Sequence, residues 1–202
     1  EGRIFEEPIH LVFIAAPSGR DAIIQPRNLI VAEKGSKAAV VESYVSLNGD
    51  SYLTNAVTEI VVGARSEIDY YRIQRESREA YHIGTTQVQV GRGAKFSSAS
   101  ISLGARLSRH NLNVLLLEEG AKCELTGLYF GSGNQHMDHH TLIDHPKPEG
   151  SSNQLYKGIL SDEASGVFSG KIFVRQDAQH TDAHQANKNL LLSEKATVDT
   201  QP

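Results

Sequence analysis

The chain has 202 residues, with 20 Lys and Arg against 24 Asp and Glu for a formal net charge of -4, which suffices for one sizeable core and one domain spanning residues 1–202. Its charges are spread along the chain, without the Lys/Arg block that would follow a phosphate backbone, and this argues against a nucleic-acid partner. The single cysteine, Cys123, rules out an intramolecular disulfide and a Cys-x-x-Cys metal pair, and fits a reducing cytosol.

Residues 9–16 form the longest apolar stretch near the start, too short to span a bilayer and with no basic region before it, so no membrane or export signal is read. Short alternating apolar runs follow, broken by Gly-Ala, Gly-Ser and Asp/Glu-x-Ala steps that suit turns better than helix ends. The steps Gly35-Ser36, Gly63-Ala64, Gly93-Ala94 and Gly120-Ala121 have glycines 28, 30 and 27 residues apart, and intermediate steps at Gly104-Ala105, Ala164, Ala178 and Ala196 roughly halve that period. A coil-length period of this kind predicts an all-β solenoid, a right-handed parallel β-helix of about six or seven coils, each with two or three strands. Residues 74–82 are the one stretch that can be drawn as a helix, but they carry no convincing apolar stripe, so a loop or an exposed coil face is an equal reading.

Ala121, Cys123 and Leu125 alternate with Lys122, Glu124 and Thr126, and this places the cysteine inward as a small core side chain rather than a thiolate ligand. Between residues 131 and 150 the pattern lapses into a His, Asp and Pro-rich stretch that reads as an insertion or an irregular coil. There His136, Asp138 and His140 would project to one face of a strand, a donor set suited to zinc or ferrous iron, or else an outward polar ladder. His180, Asp182 and His184 repeat that pattern, while His10, His82 and His110 stand isolated. Asn187 and Asn189 suit an amide ladder between coils. Gly91-Arg92-Gly93 and Gly131-Ser132-Gly133 lack the lysine and following helix of a phosphate-binding loop, so they read as turns and no ATPase activity is expected.

The second half, from Asp138-His139-His140-Thr141 through Ser152-Asn153-Gln154-Leu155-Tyr156-Lys157-Gly158, Gly166-Val167-Phe168-Ser169-Gly170-Lys171-Ile172-Phe173-Val174-Arg175-Gln176 and Gln185-Ala186-Asn187-Lys188-Asn189-Leu190-Leu191-Leu192, resembles the SufB/SufD scaffold family on its SufD side. Upstream, Pro26-Arg27-Asn28 and Thr54-Asn55-Ala56-Val57-Thr58-Glu59 are similar to earlier coils of the family. The resemblance implies a β-helical scaffold for iron-sulfur cluster assembly that is not itself an enzyme. It implies pairing with a SufB-like protein, a SufC-like ATPase docked on helices outside the core, and a location in the cytoplasm or, in a plant, the plastid stroma. It also implies no stably bound cofactor, the cluster forming transiently at a partner interface. Family members carry a Lys-Cys-Ser-His-Gly-like segment beyond the point corresponding to Pro202. With the start at Glu1, the expectation is a core domain that is a fragment of a longer SufD-like protein, without its terminal helical regions. A fragment of this kind is expected to bind its partner weakly or to self-associate into a homodimer. The other functional class open to a β-helix is a polysaccharide-active enzyme, for which Asp162, Glu163 and Asp177 are too scattered to nominate an acid/base pair.

Overall fold

The computed structural model describes residues 2–16 and 22–201, and every regular element in them is a strand. The strands are β1 (Ile9–Ala15), β2 (Ala22–Ile24), β3 (Arg27–Ala32), β4 (Lys37–Ser46), β5 (Tyr52–Val62), β6 (Glu67–Arg75), β7 (Tyr81–Val90), β8 (Lys95–Ser102), β9 (Leu107–Leu116), β10 (Lys122–Gly131), β11 (His136–His145), β12 (Ser151–Leu160), β13 (Ser165–Val174), β14 (Asp182–Leu191) and β15 (Thr197–Gln201). Strands alternate between two parallel sheets, ordered β1-β4-β6-β8-β10-β12-β14 and β15-β13-β11-β9-β7-β5-β2, with β3 also paired to β5. Each coil therefore holds two strands and two corners, and β4 to β15 make a solenoid of about six turns. The first turn is less regular. Pro26 separates β2 from β3 because it has no N–H for the ladder, although its carbonyl still accepts from the Val57 amide at 3.0 Å.

The corners explain the repeat. At every corner that leads into β4, β6, β8, β10, β12 and β14, the residue two before the strand has a left-handed backbone: Gly35, Arg65, Gly93, Gly120, Glu149 and His180, with φ between 58° and 73°. Gly63 is not the equivalent of Gly35, which accounts for the uneven glycine spacing. Its glycine serves a close approach instead, since a Cβ there would lie 2.7 Å from the Ala32 carbonyl oxygen.

Residues 74–82 hold no helix: β6 ends at Arg75, a corner follows, and β7 begins at Tyr81. Nor is 131–150 an insertion or an irregular coil. It contains β11, a ten-residue strand in register with β9 and β13. Its apolar signal is weak because the inward positions include His139, Thr141 and His145, all buried.

Inward side chains stack from coil to coil. Toward the corners that lead into the even-numbered strands the lumen is apolar, with Ile68, Phe96 and Cys123 in one register column facing Ile60, Val88, Val114 and Ile143 in the other sheet. Burying a side chain of this size contributes roughly 1.5–3 kcal/mol. Toward the opposite corners the lumen of the middle coils is polar, with Glu42, Arg72, Gln74, Glu76, His82, His110 and His139 all buried there, whereas Tyr129, Met137, Leu160 and Ala164 make it apolar at the later corners.

Candidate functional site

Outward on β11, His136, Asp138 and His140 do share one face. Asp138 accepts from Arg109 Nη1 at 2.9 Å, and His140 Nε2 stands 2.8 Å from its other oxygen. His136 Nδ1 is bonded to Ser165 Oγ at 2.7 Å. The carboxylate is thus already compensated by a guanidinium, and among the described residues no three His, Cys, Asp or Glu side chains are grouped as metal ligands. On β14, His184 and Asp182 are an exposed pair 3.0 Å apart. His180 does not join them, because it occupies a left-handed corner ahead of the strand.

Cys123 is buried, and loss of water around it pushes its thiol well above the ordinary value, so it is neither a nucleophile nor a ready ligand at neutral pH. Asn187 and Asn189 form the amide ladder, with Asn189 Nδ2 donating to Asn187, Asn187 Nδ2 to the Tyr156 carbonyl at 3.3 Å, and the Tyr129 hydroxyl to Asn189 at 2.6 Å. Asp162 and Glu163 lie in the corner between β12 and β13, whereas Asp177 lies between β13 and β14 on the opposite edge, so they do not converge as an acid/base pair.

The polar half of the lumen is the grouping that sequence reasoning missed. Glu42 accepts from the hydroxyls of Tyr44, Tyr70 (2.8 Å) and Thr58 (3.0 and 3.1 Å). Glu76 accepts from Thr54 at 2.6 Å, Gln74 at 3.1 Å and His82 Nδ1 at 2.5 Å. Burial alone would raise the Glu76 carboxyl, but the hydrogen bonds it accepts from His82, Thr54 and Gln74 outweigh it and hold the group below its usual value. Burial, then the Arg72 charge, lowers His82, so at neutral pH a neutral imidazole donates to the carboxylate. The same two causes lower His110, and with His140 they bring His139 down to about 3. His82, His110 and His139 sit in neighbouring coils of one sheet, on β7, β9 and β11; nothing in their spacing announces it except the coil period itself.

At the far end of the solenoid, β14 and β15 are the last strands of their sheets, and among the described residues nothing pairs with their outer edges. β15 covers only Ser165–Ser169 of β13. Val174 and Leu191 therefore point into the lumen by strand parity yet stay exposed, and Phe173, Leu190 and Leu192 add apolar surface beside them. No described helix is long and apolar enough to cross a membrane.

Comparison with known proteins gives a consistent relationship. The profile of the SufBD core domain of SUF-system FeS cluster assembly matches residues 13–202. An iron-sulfur cluster assembly SufBD family protein of Synechocystis is 38% identical over 98% of this chain and 45% of its own length. The chloroplastic protein ABCI7 of Arabidopsis thaliana is 32% identical over 100% of this chain and 44% of its own. The iron-sulfur cluster assembly protein SufD of Escherichia coli is 33% identical over 84% of this chain and 40% of its own. The chain thus spans less than half the length of these relatives.

Proposed function

We propose that this chain, which belongs to the SufBD family of iron-sulfur cluster assembly proteins, is the SufD-like scaffold core of a Suf assembly complex, pairing with a SufB-like protein and working with a SufC-like ATPase. The observation that carries the reading is the match of the SufBD core-domain profile to residues 13–202, over which the described residues form a two-sheet parallel solenoid with its charged lumen groups, Glu42, Arg72 and Glu76, buried. Strand edges of a solenoid pair with a partner by strand addition, and exposed Leu191 on β14 is the position used to test it. The reading assigns the chain no reaction of its own and no resident cofactor. The nascent cluster is cargo held transiently at the partner boundary, in the cytoplasm or, for a plant protein, in the plastid stroma.

The test is size-exclusion chromatography of the protein mixed with a SufB-like partner. Co-elution that is lost in Leu191→Glu supports the reading. Separate elution at tens of micromolar of each, with both folded, contradicts it.

A further inference from the structure

The outward face of the sheet that holds the even-numbered strands carries apolar side chains where contact with water would favour polar ones. In register across β6, β8, β10, β12 and β14, one outward column reads Ile73, Ile101, Leu128, Lys157 and Lys188. Beside it, Phe130, Ile159 and Leu190 form a second apolar column. On its other side stands Tyr71, in register with Ala99. Tyr71, Leu128 and Leu190 are 42%, 37% and 55% exposed. None of these positions is Asp or Glu, although acids outnumber bases in the chain.

The two lysines set the chemistry of the face. Lys157 and Lys188 are exposed and directly opposed on neighbouring strands, an arrangement in which like charges repel. Among the described residues the lysines held by carboxylates are Lys37, Lys95 and Lys195, so Lys157 and Lys188 stand uncompensated amid apolar neighbours. The face is also recessed. A hollow of about 310 Å³ lies over the small side chains Ser97 and Ala99, lined by Tyr71 on one side and Thr126 on the other. Lys95 at its rim is 3.6 Å from Glu124, so there the charges already meet.

Neighbouring strands of the sheet are about 4.8 Å apart, close to the helical pitch of about 5.4 Å. A helix laid along the solenoid axis therefore sets roughly one apolar side chain per turn against each coil, and about 13 residues cover the distance of about 19 Å from β6 to β14. We propose that this stripe docks an amphipathic helix of a partner protein, apolar over Ile73, Ile101 and Leu128 and acidic over Lys157 and Lys188. Such a helix anchors through apolar side chains three and four residues apart, and its acids neutralise the opposed lysines. A lipid surface takes up protruding apolar side chains, whereas here Ile73 and Ile101 are half-buried beside a hollow. The stripe lies on the sheet face and not on the β14 edge, so it is independent of the scaffold reading above.

The test is fluorescence anisotropy of a labelled peptide of about 14 residues, with Leu at helical spacing and Glu in the first turn, where acids also suit the helix dipole. Saturable binding of this peptide is expected, with little binding of a version carrying Lys in place of Glu. Lys157→Glu combined with Lys188→Glu changes only exposed side chains. It should weaken the Glu peptide by about tenfold or more and let the Lys peptide bind instead. Leu128→Ser should weaken both pairings, and Leu191→Glu should leave them unchanged, which separates this face from the strand edge. No saturable binding up to about 200 micromolar peptide, equal binding of the two peptides, or undiminished affinity after the double charge reversal overturns the proposal. So does binding to phosphatidylglycerol vesicles in place of the peptide, or a dimer of the unsubstituted protein that Leu128→Ser dissociates.

Discussion

The middle coils and the last coil are built on the same two-strand unit, yet they treat their inward side chains in opposite ways. Between β4 and β11, charged and aromatic residues such as Glu42, Arg72 and Tyr70 are almost wholly covered, because every strand has a neighbour on both edges. At β13 and β14, the inward aliphatic residues Val174 and Leu191 are exposed, β13 being paired with β15 only over Ser165–Ser169 and β14 having no partner on its outer edge among the described residues. Substitutions in the middle should therefore act on stability, and substitutions at the end on association.

The largest effect is expected for Glu42→Ala. It strips three buried hydroxyls of their acceptor and removes a negative charge from the neighbourhood of Arg72, which should cost about 3–5 kcal/mol. Urea denaturation reads this directly, and a loss below about 1 kcal/mol would mean that the polar lumen contributes little. Glu42→Gln keeps an acceptor and should lose less.

Acid should act on the same region. His82, His110 and His139 are held below their unfolded value near 6.5, His139 at about 3. Their neutral forms are favoured by folding, so stability is full above pH 6.5 and falls as pH drops from there toward 3, on the order of a few kcal/mol for His139 alone. The depressed Glu76 carboxyl adds a loss below about pH 4.5. A denaturant midpoint that is flat between pH 6.5 and 4 would break the contrast.

At the open end, Leu191→Glu should leave the unfolding free energy within about 0.5 kcal/mol while weakening partner binding tenfold or more, roughly 1.4 kcal/mol. Parallel unfolding and binding titrations separate the two effects; a large stability loss with unchanged affinity would erase the proposed division. The smallest effect is expected at Cys123. The native thiol should not react with a thiol reagent over the time in which the urea-unfolded chain reacts fully, and Cys123→Ala should cost about 1 kcal/mol or less.

The solenoid was legible because its corners leave a periodic mark. Gly35, Gly93 and Gly120 occupy positions where a left-handed backbone favours glycine, and the small residue after each packs at the corner. The mark blurs where Arg65, Glu149 and His180 adopt the same backbone without being glycine, and Gly63, two residues early, imitates it. Cys123 was placed correctly by alternation with apolar neighbours. Alternation could not place His82, His110 or His139, because a buried polar residue looks the same in sequence as an exposed one. Their shared environment depends on pairing strands a full coil apart, as does the link between Glu42 and Thr58, which face each other across the lumen.

The central claim is that the chain scaffolds cluster assembly through a partner and does not hold a cluster by itself. Anaerobic reconstitution with ferrous iron and sulfide, followed by visible absorption after desalting, tests it most directly. Iron in such clusters is held by several thiolates, and this chain offers one, buried. The account predicts no charge-transfer band for the chain alone. A stable band that disappears in Cys123→Ser would contradict it, by showing that the buried thiol opens to bind iron.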